Sequence, residues 1–253
     1  MSLRDLFFPG GAANEALSGE ADPNVQFYQN KLASKPDGAL VDDMHKQWDG
    51  DFERLEMHHG YIQWIFPVFE NAGMNFESKP LSKSGAAIIR ADPAAQQRVI
   101  QSYRMMLKFY GLALADESSG ALERHSDERL YKTMMGNLNQ SSHNWLRVSR
   151  IITSLGELGF RRYKKPLIEA LRKEVDAGAL SNAAQSLDNF WAPLVEAEGT
   201  PRYNAKTLEE EADRAEGCLF QPGGALAGAG SAEGEGPAAA HETAGTAAGG
   251  ASS

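Results

Sequence analysis

NLNQSSHNWLRVSRIITSLGELG, residues 137–159, is the stretch whose reading decides the fold. At about 100° per residue, Val148, Ile151, Ile152 and Leu155 gather into one apolar face. His143, Arg147, Arg150 and Ser154, at i, i+4, i+7 and i+11, line a narrow polar stripe on the other side. That sorting predicts an amphipathic helix from Ser142 to about Leu158. The preceding Asn137, Asn139, Ser141 and Ser142 are side-chain donors, and they are equally the residue types of turns and N-caps.

Working outward, helix signals recur. Asp37 is placed to cap a helix over 38–48, and a second apolar-periodic stretch runs from Phe52 until Pro67 stops it. Asp92-Pro93 reads as an N-cap followed by proline at the first helical position; Val99, Tyr103, Met106 and Tyr110 then share a face, and Gly111 closes the C-terminus. Further helices are predicted over 160–175 and 181–191, with longer loops around 71–82 and 115–139. No run sustains a period of two, and no Asn-Gly or Asp-Gly turn joins two β-branched runs. The fold class predicted is therefore all-α, a single compact bundle of about six to eight short helices.

With 42% hydrophobic residues in 253, the chain can bury a core. Residues 222–253 are almost entirely Gly, Ala, Ser, Glu and Thr, which cannot offset the entropy of ordering them, so a disordered Ala/Gly-rich tail is predicted there. Ahead of it lie an acidic linker (199–221), the helical domain (24–198) and a mixed N-terminal arm (1–23) in which Leu3, Leu6, Phe7 and Phe8 form a short anchor. The net charge of −9 sits mostly after Thr207, where eight acids face Arg214 alone; about −2 is left for the rest. Such a domain has no global field for nucleic acid. The single Cys218 excludes an internal disulfide and fits a reducing compartment. No signal-peptide pattern and no long apolar span is present, so any membrane association is expected to be peripheral.

The polar stripe has two readings: it faces water, or its two guanidinium forks and imidazole converge on an anion, a ligand carboxylate or an acidic helix. In the second motif, HHGYIQWIFP from His58, residues Glu56, His59 and Gln63 fall on one stripe at i, i+3 and i+7. Glu56-x-x-His59 matches half of a di-iron signature, but neither His125 nor His143 has a glutamate three residues before it, and zinc would need three or four ligands. A hydrogen-bonded bundle histidine is the expectation, with no metal and no cofactor. Trp48, Tyr61, Trp64 and Phe66 read as core aromatics, the alternative being the wall of a cleft. Arg161-Arg162-Tyr163-Lys164-Lys165 is either a patch for an acidic partner or the solvated side of a helix whose Phe160, Leu167, Leu171 and Val175 face inward. There is no Gly-x-Ser-x-Gly elbow and no phosphate-loop or dinucleotide glycine pattern, so no catalytic residues are assigned.

Taken in order, Asn30-Lys31, Lys35-Pro36-Asp37-Gly38, Trp48, residues 58–67, Gly73-Met74-Asn75, Lys79-Pro80-Leu81, Phe109-Tyr110-Gly111 and residues 137–159 with Tyr163 and Pro166 resemble the conserved domain of the opioid growth factor receptor family. The resemblance implies a receptor-like, peptide-binding signalling protein. Its family founder receives the opioid pentapeptide Met-enkephalin, is unrelated to the membrane-spanning opioid receptors, associates with the nucleus and nuclear envelope and is linked to growth inhibition. Implied for this chain are a small opioid-like peptide as partner, growth regulation, a nuclear, perinuclear or cytoplasmic location and no enzyme activity. The C-terminal repeats of some vertebrate members are absent here. The stripes supply the expected ligand-binding residues: His59, Gln63, Tyr61, Trp64, Asn139, His143, Arg147 and Arg150, with Arg147, Arg150 and His143 holding a carboxylate against a wall of Trp64 and Tyr61. A helical scaffold binding partners through Arg161, Arg162, Lys164 and Lys165, or an enzyme using His59, Asn139, His143 and Arg147, are the other classes.

Overall fold

The computed structural model describes residues 22–70 and 75–196. The expected arm before residue 22, the linker and tail, and Cys218 lie outside the described residues. Asp22 starts two helices. Its Oδ1 accepts from the Asn24 N–H at 2.8 Å and caps α1 (Pro23–Tyr28), with Pro23 in the first turn. Its Oδ2 accepts from the Ser82 N–H and hydroxyl at 3.0 and 2.6 Å, while Ser82 Oγ accepts from the Gly85 N–H at 2.8 Å and caps α5 (Lys83–Ala91). Gly85 leaves no room for a Cβ against Asp22.

Between these helices run α2 (Val41–Gln47), α3 (Phe52–Met57) and α4 (Ile62–Ile65). Two expectations are corrected here. Asp37 does not cap α2, which starts after Leu40 with no side-chain cap; the Asp37 carboxylate turns instead to His58 Nε2. The stretch from Phe52 to Pro67 is not one helix: His58 is extended (φ −87°, ψ 123°), so Glu56, His59 and Gln63 share no helical stripe.

The Asp92-Pro93 start holds. Asp92 Oδ1 accepts from the N–H groups of Ala94 and Ala95, and α6 (Pro93–Phe109) packs on α1, α2 and α5 and buries Val99, Tyr103 and Met106. Gly111 ends it at φ +75°, where a Cβ would come within 2.9 Å of the Tyr131 carbonyl oxygen. His45 of α2 reaches α6 with Nε2 2.8 Å from the hydroxyl of fully buried Ser102. Burial there pushes its pKa down to about 4.

The expected loop over 115–139 is a hairpin and a helix. Strands β1 (Leu112–Asp116) and β2 (Ala121–Arg124) pair antiparallel with Leu114 opposite Leu122 and a bulge before Asp116. The turn rests on the Asp116 carboxylate, which accepts from Ser118 and Ser119, and on Gly120 at φ +80°. Strand signals failed because the strand residues are Leu and Ala rather than β-branched, and the turn carries Ser-Ser-Gly. Asp127 then caps α7 (Glu128–Gln140) by accepting from the Arg129 and Leu130 N–H groups.

Next comes α8 (Ser142–Glu157), followed by a 3-10 turn (Arg161–Tyr163) and α9 (Lys164–Asp176). The predicted helix over 181–191 is a 3-10 turn, a helical turn α10 (Ala184–Ser186) and a π turn (Leu187–Trp191), continued by α11 (Pro193–Glu196). The apolar faces of these helices join one core with Trp48, Tyr61, Trp64 and Phe66, all buried as expected of core aromatics. In the basic run, Phe160, Leu167 and Leu171 are buried, Lys164 is buried too, and Arg162 donates to the Tyr163 hydroxyl at 3.1 Å. The fold is mostly helical with one short hairpin. Among the described residues no helix is long and apolar enough to cross a membrane.

Gly111→Ala is expected to lower unfolding free energy by ~1–3 kcal/mol, the cost of holding an alanine at positive φ against a fixed carbonyl. A larger stability loss than for Gly136→Ala, whose Cβ would meet nothing within 4 Å, checks this by urea denaturation.

Candidate functional site

The polar stripe of α8 faces the segment from Leu55 to Phe69 rather than water. At its start, Glu56 is 2% exposed, and its Oε2 accepts from the Asn137 and Asn144 side-chain amides, each at 2.9 Å. His143 Nε2 lies 2.7 Å from Oε1, and Ser141 Oγ donates to the same oxygen at 3.4 Å. Burial alone would raise the Glu56 pKa, but His143, Asn144 and Asn137 favour the ionised form more strongly and hold it at about 2.

One turn further along α8, Arg147 is 5% exposed and directed at backbone. Its Nη1 donates to Leu55 O at 2.8 Å and Asn144 Oδ1 at 3.0 Å; its Nη2 donates to Glu56 O at 3.2 Å and His58 O at 3.1 Å. A cation thus sits on the carbonyl end of α3, where the helix dipole favours it. The fork also lies 5.6 Å from the Tyr61 ring centre. This is why the periodic stretch breaks: carbonyls that a continuous helix would pair internally are taken by Arg147, and Asn75 Nδ2 fixes the bend by donating to Gly60 O and Lys35 O, both at 2.7 Å.

The ladder continues. Arg150 Nε donates to Phe66 O at 2.7 Å, Ser154 Oγ to Pro67 O at 2.7 Å, and Glu157 Oε2 accepts from the Phe69 N–H at 2.7 Å. From the other side of the segment the Tyr28 hydroxyl donates to Ile65 O. Gln63, oriented so that its amide nitrogen meets carbonyls, donates to His59 O and Gly60 O at 3.1 and 3.2 Å.

Of the residues expected at a ligand, Tyr61, Gln63, Trp64, Arg147 and Arg150 are buried in this framework. Asn139 stands apart, its Oδ1 accepting from the Asn182 N–H at 2.9 Å. His59 and His143 are the accessible members: their rings meet edge to face at 5.6 Å, and His59 Nδ1 lies 3.5 Å from Arg147 Nη2. Partial burial, then the Arg147 and His143 charges, depress the His59 pKa. Asn144 and Glu157 were missed. Continuing the stripe beyond Ser154 points to Glu157, and Asn144 falls one turn before Arg147. Among the described residues no group of three or more His, Cys, Asp or Glu is placed to hold a metal ion.

Arg147→Ala strands the carbonyls of Leu55, Glu56 and His58 and is expected to cost about 3 kcal/mol or more. Arg147→Lys should recover little of this, since an ammonium cannot span that set of acceptors; chemical denaturation of both variants checks it. His45 and His59 have depressed folded pKa values, so their contribution is whole above about 6.5 and falls as pH drops, for His45 down to about 4. Glu56 contributes fully above 4.5 and loses its contribution as pH falls toward 2. His45→Gln and His59→Gln should each flatten the upper part of the stability–pH curve, and Glu56→Gln the lower.

Residues 18–211 match the opioid growth factor receptor conserved region. "Opioid growth factor receptor-like protein 1" of Xenopus tropicalis is 38% identical over 164 residues, covering 64% of this chain and 31% of that protein. The Mus musculus protein of that name is 38% identical over 151 residues, 60% of this chain and 32% of its own length. "Opioid growth factor receptor" of Homo sapiens is 37% identical over 152 residues, 60% of this chain and 22% of its own. The chain thus spans less than a third of the length of each of these relatives. No solved structure matches it. The matched region takes in both the α8 ladder and the segment it holds, and by it the chain belongs to the opioid growth factor receptor family.

Proposed function

We propose that this chain is a receptor-like, peptide-binding signalling protein, taking a small opioid-like peptide and acting in growth regulation, at the nucleus or nuclear envelope or in the cytoplasm around it. Family membership supports the receptor-like part, and the relatives are named as receptors rather than enzymes. The observation that carries the choice of site is the pairing of His59 with His143, the accessible edge of an otherwise buried polar network. In this reading His59 and His143 meet the peptide, and Arg147 and Arg150 hold the backbone that presents them. Tyr61, Gln63 and Trp64 fill the floor beneath. Arg161, Arg162 and Lys165 stay exposed for an acidic protein partner, with Lys164 buried behind them. Any membrane association is peripheral.

Isothermal calorimetry of the purified chain with Met-enkephalin tests this. Saturable one-to-one binding is expected, weakened about tenfold, or ~1.4 kcal/mol, by His59→Ala with His143→Gln in a protein of unchanged circular dichroism. No heat of binding from correctly folded protein would overturn the peptide reading. Binding unaffected by the double substitution would move the site elsewhere.

A further inference from the structure

The loop over residues 34–39 closes on itself: the Ser34 N–H donates to Ala39 O and the Gly38 N–H to Ser34 O, each at 2.8 Å. Two side-chain oxygens of this loop are buried with no hydrogen-bond partner, Ser34 Oγ and Asp37 Oδ2. Ser34 is fully buried, and the Asp37 side chain is 9% exposed. The other Asp37 oxygen, Oδ1, faces His58 Nε2. His58 Nδ1 accepts from the Gly60 N–H at 3.1 Å, which leaves Nε2 as the ring nitrogen that meets Asp37 Oδ1. Oδ2 is therefore the free acceptor of a buried carboxylate, a kind of atom that native structures almost always pair.

The Lys35 carbonyl of the loop is already used. Lys35 O receives Trp64 Nε1 at 3.0 Å and Asn75 Nδ2 at 2.7 Å. One carboxylate oxygen and one hydroxyl are too few for calcium, which takes six to eight oxygens, and among the described residues no group of three or more His, Cys, Asp or Glu is placed to hold zinc. Both atoms suit a donor bearing positive charge and several N–H bonds. Lys35 and Pro36 of the same loop are exposed, and Gly38, at φ +70°, has open space where a Cβ would stand. The His58 ring, 5.7 Å from that of Trp48, makes an aromatic flank.

We propose that Asp37 Oδ2 and Ser34 Oγ form a subsite for a primary ammonium, filled by the free amino terminus of the peptide ligand. The occupant rests on the peptide-binding reading above. The place adjoins the same site: His58, which holds Asp37, also accepts from Arg147 through its carbonyl, and His59 follows it.

The full chain and its Asp37→Asn and Ser34→Ala variants are titrated with methylammonium chloride, against sodium chloride as ionic-strength control, while the His58 imidazole resonances are followed. Each protein is then titrated with Met-enkephalin and with N-acetylated Met-enkephalin. Methylammonium is expected to shift His58 saturably in the wild type and not in Asp37→Asn. Acetylation should weaken the peptide about tenfold in the wild type and make no further difference in Asp37→Asn. Where Asp37→Asn fails to fold, Ser34→Ala, which removes one acceptor and no charge, should still weaken both probes about threefold. Equal binding of both peptides by the wild type, with no saturable methylammonium shift, overturns the subsite and leaves the peptide reading standing. A methylammonium shift lost in Asp37→Asn, with neither peptide bound, supports the subsite for another amine and overturns the peptide reading. No binding of any probe overturns both.

Discussion

A buried backbone that is neither helix nor sheet must find partners for its N–H and C=O groups elsewhere, because each orphan costs as much as a lost hydrogen bond. Much of the segment from His58 to Phe69 lies in that position. Tyr61 through Val68 are all buried, yet only Ile62–Ile65 is helical. The partners come from α8, which spends one face on apolar packing and the other on a row of side chains: Arg147 for three carbonyls, Arg150 and Ser154 for one each, and Glu157 for an N–H. Remove that row and the broken stretch has no reason to stay broken.

The same arrangement explains why so polar a helix is tolerated inside. Arg147 brings a charge into the interior opposite several oriented carbonyls, and Glu56 brings the opposite charge among amides and an imidazole; neither is left to be solvated by hydrocarbon. The two lie on successive turns of one network, joined by Asn144, which donates to Glu56 and accepts from Arg147. The accessible His59 and His143 edge thus has its geometry set from behind, the preorganisation that the proposed peptide site would use.

Much of this was legible in the chain. The Asp92-Pro93 start, the Gly111 stop, the bounds of α8 and its apolar face follow from local chemistry, and they stand. Two things were not legible. A polar stripe looks the same whether it faces water or a neighbour's carbonyls, because the acceptors are backbone atoms that carry no sequence signature. The periodic run after Phe52 likewise reads as a helix, since the groups that break it, Arg147 and Asn75, come from far along the chain. Asp37 failed as a cap for a related reason: a carboxylate before a helix serves equally well as partner to a histidine that only the fold brings near. The hairpin escaped notice because its strands lack β-branched residues and its turn is held by an aspartate and serine hydroxyls.

Asp22 bears on where the folding unit starts. One carboxylate organises the first turns of both α1 and α5, although 60 residues separate it from Ser82. Hydrophobic pattern would set the beginning of the domain at Val25 and Phe27, the first residues of the core. Hydrogen bonding sets it earlier, at a charged residue that contributes no apolar area. A fragment trimmed to its visible core would keep every packed side chain and still begin with two frayed helices. Among the described residues, the start of α1 is set by its cap as much as by the core it packs into.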